Sequence, residues 1–330
     1  MKRISIGSWA YSIGPYAKNP VDWDTVCKTL KEYKFDGVEL GGFKPHPNPD
    51  DLPTKESRQE LVEKMRNYGL GFSGLAANLW GEKLINTDDT TKYYEEFVKN
   101  ADFCVDLGIK TIRVDTVQPP TIFNEVDPKT AFKRVTSTWK KCARAAADRG
   151  LNVCWEFEPG FAFNKPSDIF RILDAVPNEN FGVLYDTCHA QMVAVIGARQ
   201  HGARETLAGG QLELISRLGN RINHLHLIDS DNTCHKDAQG NDETSAHPPF
   251  GDGVLNFDGI VPALAKLKLP HDWWTIDLCF WADAWPVTKR CKEAIDKLNR
   301  KYGGGTRAKG GGAARGKGKS KGKAVKPKKK

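Results

Sequence analysis

The sequence predicts an α/β fold, a single (β/α)₈ barrel of alternating strands and helices, followed by a disordered basic tail. Three observations lead there. Runs of β-type residues begin at intervals of 29 to 51 residues, the size of a strand–helix unit. Amphipathic patterns of helical period fill the gaps between them. No change of composition divides residues 1–302, so the units read as one domain.

The strands are expected at "RISIGS" (3–8), "GVEL" (37–40), "GFSGLAA" (71–77), "TIRVDT" (111–116), "NVCWEFE" (152–158), "FGVLYDT" (181–187), "INHLHLID" (222–229) and "WWTIDLC" (273–279). Between the first and second lies "VDWDTVCKTLKEYK", a candidate helix. "YYEEFVKNADFCVDLG" and "TAFKRVTSTWKKCARAAADRG" precede the fourth and fifth strands, and each ends on the glycine that commonly stops a helix. "PSDIFRILDAV" opens with Pro, Ser and Asp, residues suited to a first helical turn. A doubly wound open sheet is the main competitor, but no GxGxxG follows the first strand.

Composition narrows the function. The net charge of +8 is concentrated in residues 303–330, which hold eleven Lys or Arg and no acid; without them the remainder carries about −3. A Gly/Lys segment with almost nothing to bury cannot offset its ordering entropy, so 303–330 is expected to be disordered, with non-specific attraction for polyanions. No run of about 18 apolar residues exists to span a membrane. "MKRISIGSWAYSIG" lacks the continuous apolar segment of a secretory signal. Eight scattered cysteines without a CxxC pair read as reduced thiols of a cytoplasmic protein.

Acids and histidines gather at the predicted strand ends. Glu39 ends the second strand, Asp115 the fourth, Glu156 and Glu158 the fifth, and Asp186 the sixth, with His189 three residues on. His224, His226 and Asp229 lie on the seventh and Asp277 near the end of the eighth. In a barrel these ends form one mouth. Carboxylates converging there repel one another unless a cation or basic groups compensate. One imidazole with three carboxylates is a hard-to-borderline donor set, suited to Mn²⁺, Mg²⁺ or Co²⁺, with Zn²⁺ less favoured. Strand alternation puts His224 and His226 on one face, with His226 nearer the rim, so His226 is the ligand candidate and His224 sits behind it.

"GLNVCWEFEP", "VLYDTCHA", "INHLHLID", "HPPFGDGVLNF", "WWTIDLCF" and "FDGVELGGF" together resemble the sugar phosphate isomerase/epimerase superfamily of xylose isomerase-like TIM barrels, over roughly residues 3–302. That group includes ketose 3-epimerases and inosose dehydratases and, more distantly, the endonuclease IV type. The resemblance implies one divalent metal, Mn²⁺ foremost, held by Glu156, Asp186, His226 and Asp277. Glu156 is chosen because the family's ligand lies six residues after the glycine preceding the strand, here Gly150; Glu158 has the same parity and is its rival. It further implies that His189 contacts substrate oxygen, and that members are often homo-oligomers. Two departures stand out. Asp277 replaces the epimerases' glutamate, and Asn232 stands where they have an arginine.

The implied activity is that of an isomerase or epimerase. It would take a proton from beside the carbonyl of a sugar or keto-sugar, giving a metal-stabilised enediolate. Glu156 and Glu158 are expected on one side as acid/base candidates, His189 and Asp277 on the other. Trp9, Glu158, His189, His224, Asp229 and Trp281 are the substrate-binding candidates. The aromatic cluster "WWTIDLCFWADAW" favours a lyase or dehydratase on a keto-sugar, keto-glycoside or inosose as runner-up. An endonuclease IV-like nuclease ranks lower, because the early strands offer Asn78 and Asp115 rather than histidines and the folded part is acidic. A non-catalytic sugar-binding barrel ranks with it.

Overall fold

A computed structural model describes residues 1–304. Its elements run β1 (Arg3–Gly7), α1 (Trp23–Glu32), β2 (Gly37–Leu40), α2 (Lys55–Tyr68), β3 (Gly71–Ala76), α3 (Thr91–Leu107), β4 (Thr111–Val114) and α4 (Pro128–Ala147). They continue with β5 (Asn152–Glu156), α5 (Pro166–Ala175), β6 (Phe181–Asp186), α6 (Thr187–Gln191), α7 (Gly210–Leu218) and β7 (Ile222–Leu227). A short hairpin of β8 (Cys234–Lys236) and β9 (Asp242–Ser245) comes next, then α8 (Phe257–Ala265), β10 (Trp273–Ile276) and α9 (Ala284–Tyr302). Eight parallel strands close into a barrel in the order β1-β10-β7-β6-β5-β4-β3-β2. No helix among the described residues is long and apolar enough to cross a membrane. The expectation of disorder for the tail falls on residues 305–330, outside the described residues.

Local chemistry accounts for the helix ends. Asp22 caps α1 by accepting from the Thr25 amide at 2.9 Å, and Asp127 caps α4 through Thr130 in the same way, with Pro128 in its first turn. Gly69 and Gly108 close α2 and α3 in the left-handed region at φ 73° and 72°, a conformation that a Cβ would strain. Each amphipathic helix lays its apolar face on the barrel. On α4 that face centres on Trp139, fully buried, its ring 5.3 Å from Trp155 of β5.

β1 against β10 makes the closing seam, with Arg3 opposite Trp273 and Ile6 opposite Ile276. Asn299 of α9 ties the chain's start to its last helix, accepting from Lys2 N at 2.9 Å and donating to Lys2 O at 2.8 Å. The barrel interior differs from the usual packing of branched apolar side chains. A polar layer of Ser5, Glu39, Ser73, His224 and Thr275 is buried inside it, and Ser5 and Thr275 hydroxyls meet at 2.9 Å.

The hairpin was not expected from the sequence. "DAQGND" turns it, with Asp237 accepting from the amides of Gln239 and Asn241 and Gly240 at φ 84°. It leans on Phe280, whose ring stacks on His235 at 3.9 Å.

Trp139 donates its indole N–H to Tyr93 Oη (3.1 Å), which donates to the carbonyl of Asp115 at the end of β4 (3.1 Å). Trp139→Ala is expected to cost about 3–5 kcal/mol. Trp139→Phe, which keeps most of the volume, should cost about 1 kcal/mol for the lost hydrogen bond. Urea unfolding followed by far-UV circular dichroism measures both.

Candidate metal centre and mouth

Four strands deliver the acids and imidazole at one end of the barrel. Glu156 ends β5, Asp186 ends β6, His226 lies one residue from the end of β7, and Asp277 follows β10. All four are buried. His226 Nδ1 stands 3.2 Å from Glu156 Oε1 and 3.5 Å from Asp277 Oδ2, and the three residues offer donor atoms within 4.8 Å of one another. Asp186 groups in the same way with His189 and His247, and His247 with Asp277 and Cys279. Of the two glutamates at the end of the fifth strand, Glu156 is the one beside His226, while Glu158 lies further out.

The hydrogen bonds of these groups are incomplete in an informative way. Glu156 Oε1, Asp186 Oδ2 and His226 Nδ1 are buried without a hydrogen-bond partner. The opposite atoms are all engaged: Glu156 Oε2 pairs with Arg113, Asp186 Oδ1 accepts from His189 N at 2.7 Å, and Asp277 Oδ1 accepts from Trp9 Nε1 at 2.6 Å. A buried lone pair without a partner is costly, and three on neighbouring residues fit one divalent cation. The donor set of carboxylate oxygens and an imidazole nitrogen suits such an ion.

The charges behave accordingly. Burial would raise Glu156, but Arg113 and His226 outweigh it and bring the carboxyl to about 2. Burial likewise opposes ionisation of Asp277, which His247 and His226 nonetheless hold well below the carboxylate range. Asp186 goes the other way, pushed well up by burial and by Asp277. Burial disfavours a charged His226, yet Glu39 and the two facing carboxylates raise it well above the usual imidazole value. A cation held at Nδ1 would take the place of that proton.

Behind His226 runs a chain of hydrogen bonds whose direction can be assigned. The Trp273 amide donates to His271 Nδ1 at 3.1 Å, so His271 carries its proton on Nε2. That nitrogen lies 2.8 Å from His224 Nδ1, and His224 Nε2 lies 2.6 Å from Glu39 Oε2. Glu39 Oε1 in turn takes the Nε2–H of His226 at 3.1 Å. Burial and the neighbouring His224 lower His271 to about 3 and keep it neutral, consistent with this assignment. The chain keeps a proton on His226 Nε2, so that Nδ1 is the nitrogen that is bare when the ring is neutral.

Above the centre lies a cavity lined by Glu156, Glu158, His189, His247, Asp277 and Arg113 on its polar side. Trp9, Phe43, Trp80, Phe161 and Phe280 supply its aromatic walls. Glu158, pushed up to about 8 by burial and by Glu156, accepts from the Thr244 hydroxyl. His189 Nε2 is 3.2 Å from Glu158 Oε2, and His189 Nδ1 is 2.9 Å from Ser245 Oγ. Burial, with His247 beside it, takes His189 down to about 3. Near neutral pH the two therefore face each other as a carboxylic acid and a neutral imidazole.

Several expectations need correction. Glu158 and His189 are in contact, not on opposite sides. His224 is enclosed within the barrel against Glu39 and does not reach the cavity. Asp229 accepts from the amides of Gly251 and Leu255 and serves the following loop. Trp281 donates its indole N–H to the carbonyl of His247 at 2.8 Å, and its neighbour Phe280 takes the place in the wall. Phe280 gets there through a left-handed backbone, φ 64°, strained for a non-glycine residue. Asn232 accepts from Gln191 instead of providing a cation. Arg113, from "TIRVDT", supplies the positive charge, and an arginine inside an otherwise β-type run was the available signal.

Comparison with known proteins agrees with this architecture. The family model of the xylose isomerase-like TIM barrel matches residues 27–301. The chain belongs to that family. An inosose dehydratase of Bacillus cereus (strain AH820) is 24% identical over 251 residues, 69% of this chain and 76% of that protein. A crystal structure of IOLI protein with a bound zinc atom superposes with TM-score 0.67 at 15% identity, covering 92% of this chain and 99% of that one. A D-tagatose 3-epimerase-like protein gives TM-score 0.66 at 17% identity, covering 91% and 99%. At such identity the two structures speak for the xylose isomerase-like fold alone.

The His226 tautomer depends on Glu39, so Glu39→Gln is expected to weaken binding of a divalent ion by about 10- to 100-fold. Competition against a chromophoric chelator measures the loss, and circular dichroism checks that the barrel stays folded.

Proposed function

We propose that this protein is a divalent-metal-dependent lyase that removes a proton from beside the carbonyl of a keto-sugar, keto-glycoside or inosose and expels the oxygen on the next carbon. The observation that carries the reading is the position of Glu158 and His189, adjoining acid/base groups on one side of a mouth whose floor is the candidate metal centre. Glu156, His226, Asp186 and Asp277 would hold the ion. When bound, it would supply Lewis acidity, stabilising the negative charge that develops on the substrate's carbonyl oxygen.

The proton balance follows from the pair. The neutral His189 imidazole takes the proton from carbon. The electrons of that C–H bond form the new C=C bond as the β C–O bond breaks. The Glu158 carboxylic acid gives its proton to the departing oxygen, which leaves as water, or as an alcohol from a glycoside. Proton transfer from His189 to Glu158 restores both groups for the next turnover. Both transfers are made from one face, which an elimination accepts.

Epimerisation asks for a second acid/base group opposite the first. Asp277 is the carboxylate that enters from β10, but Trp9 and Cys279 both contact its Oδ1 and its Oδ2 faces His226. This argues for elimination over the isomerase/epimerase expected from the resemblance. The similarity to inosose dehydratase supports the same choice. The aromatic walls suit the apolar face of a sugar ring or a planar substituent on it. They offer no basic groove to a nucleic-acid backbone.

Chelator-treated protein is expected to be inactive on a panel of keto-sugars and inososes and to recover with Mn²⁺, Co²⁺ or Zn²⁺. The conjugated enone that dehydration produces gives an ultraviolet readout. His189→Ala should lower kcat by about 10²- to 10⁴-fold while metal content is kept, whereas Glu156→Gln should lose metal and activity together. Deuterium entering recovered substrate without enone would return the assignment to an isomerase or epimerase. Turnover indifferent to metal would remove the mechanism.

A further inference from the structure

His247 belongs to no part of the chemistry above. It sits in "AHPPFGDG", between β9 and α8, 3% exposed, with its ring at the cavity. Neither ring nitrogen has a hydrogen-bond partner among the described residues. An imidazole buried for packing normally satisfies at least one nitrogen, and leaving a buried donor or acceptor unmet is unfavourable.

The backbone around it is held closely. Trp281 Nε1–H binds the His247 carbonyl at 2.8 Å, and the Cys188 thiol binds the Ala246 carbonyl at 2.9 Å. Asp229 accepts from the amides of Gly251 and Leu255 at 2.9 and 3.0 Å. Gly253 lies so close to it that a Cβ there would fall 2.4 Å from Asp229 Oδ1. Asp229 and Trp281, drawn from β7's end and the segment after β10, thus converge on the loop that carries this one side chain.

His247 faces the candidate centre. Its Nε2 is 3.7 Å from Asp277 Oδ2 and 3.9 Å from Asp186 Oδ1, and its ring meets that of His189 edge-on at 4.8 Å. Ligands placed about 2.0–2.2 Å from a shared ion stand about 3.0–4.4 Å from one another, whether at right angles or opposed. The separations of His226 Nδ1 from Glu156 Oε1 and Asp277 Oδ2, and of His247 Nε2 from Asp277 Oδ2, all fall in that range. His247 also joins the two donor groups that otherwise separate Asp186 from Asp277.

We propose that His247 Nε2 is a further ligand of the metal centre, giving it two imidazoles among its carboxylates. The inference rests on the metal reading of the mouth and sharpens it. A second imidazole shifts the preference from the Mn²⁺ expected at first towards the borderline ions Co²⁺ and Zn²⁺. It also gives the loop after β9 a part in holding the ion.

The test uses Co²⁺ as the probe on the full chain, with affinity from chelator competition, visible absorption of the bound ion, and circular dichroism for folding. Wild type should bind Co²⁺, and His247→Gln should bind at least tenfold more weakly with an altered absorption spectrum. Because His247→Gln alone can disturb the loop, a second variant places a thiol at the same point. His247→Cys in a Cys279→Ser background should show a thiolate-to-cobalt charge-transfer band that Cys279→Ser alone lacks. Unchanged affinity and spectrum in His247→Gln, or a folded double variant without the band, overturns the assignment of His247 and leaves the centre intact. Failure of wild type to bind Co²⁺, or binding unaffected by Glu156→Gln, overturns the metal reading itself and this inference with it.

Discussion

One buried carboxylate organises the interior. Glu39, almost fully enclosed, accepts hydrogen bonds from two imidazoles, His224 on Oε2 and His226 on Oε1. Thr275 adds a hydroxyl to Oε2 at 3.2 Å. A charge this deep is tolerated only with such partners. Burial opposes its ionisation, but His224 and His226 outweigh burial and hold it well below the carboxylate range. Space is reserved for it as well, since a Cβ on Gly74 would come within 3.2 Å of its carboxyl carbon. The polar layer that replaces an apolar barrel core therefore has a direction, and it ends on His226 Nδ1 in the mouth.

The mouth then divides its acids into two kinds. Glu156 and Asp277 lie next to positive or potentially positive groups and stay ionised. Asp186 and Glu158, with less compensation, are driven towards the neutral form. Carboxylates this close cannot all ionise on their own. On the proposed reading, a divalent ion at the inner group would offset the charge on Asp186 and leave Glu158, further out beside His189, to carry the proton. Structure and acid/base role are thus separated by depth within one mouth.

Much of the barrel was legible because its signals are local. Each expected strand is present, and where an end differs it falls earlier, by up to three residues, because the chain leaves its pairing neighbours at the rim. The acids Glu156, Asp186 and Asp277 were visible as polar residues ending apolar runs. The role of Glu39 was not, although the residue itself was noticed, because its partners are 185 and 187 positions away. His247 heads the stretch "HPPFGDGVLNF", yet no role for it could be read there, for a different reason. Its stretch has no periodicity, and the Pro and Gly around it read as loop. The hairpin before it is too short, at three and four residues a strand, for alternation to show. Asp229 and Trp281 were recognised as polar or aromatic residues near the rim. Which way each side chain turned could not be read without the loop they hold.

That loop is laid over a frame that the barrel itself fixes. The groups at the ends of β5, β6 and β7 and just beyond β10 are fixed by strand register, with Asp186 beside His226 across β6 and β7. Over them lies the segment between β7 and α8. Here the β8–β9 hairpin brings the Thr244 hydroxyl to Glu158 and Ser245 Oγ within 2.9 Å of His189 Nδ1. The next residues bring His247 over the inner acids, and Phe280 closes the opposite wall against the hairpin's His235. The excursion touches Glu158 and His189 through side chains and takes no part in the strand pairing of the barrel. On the proposed reading, the acid/base pair Glu158 and His189 takes its hydroxyl partners from the segment between β7 and α8, while charge stabilisation would belong to the barrel beneath it.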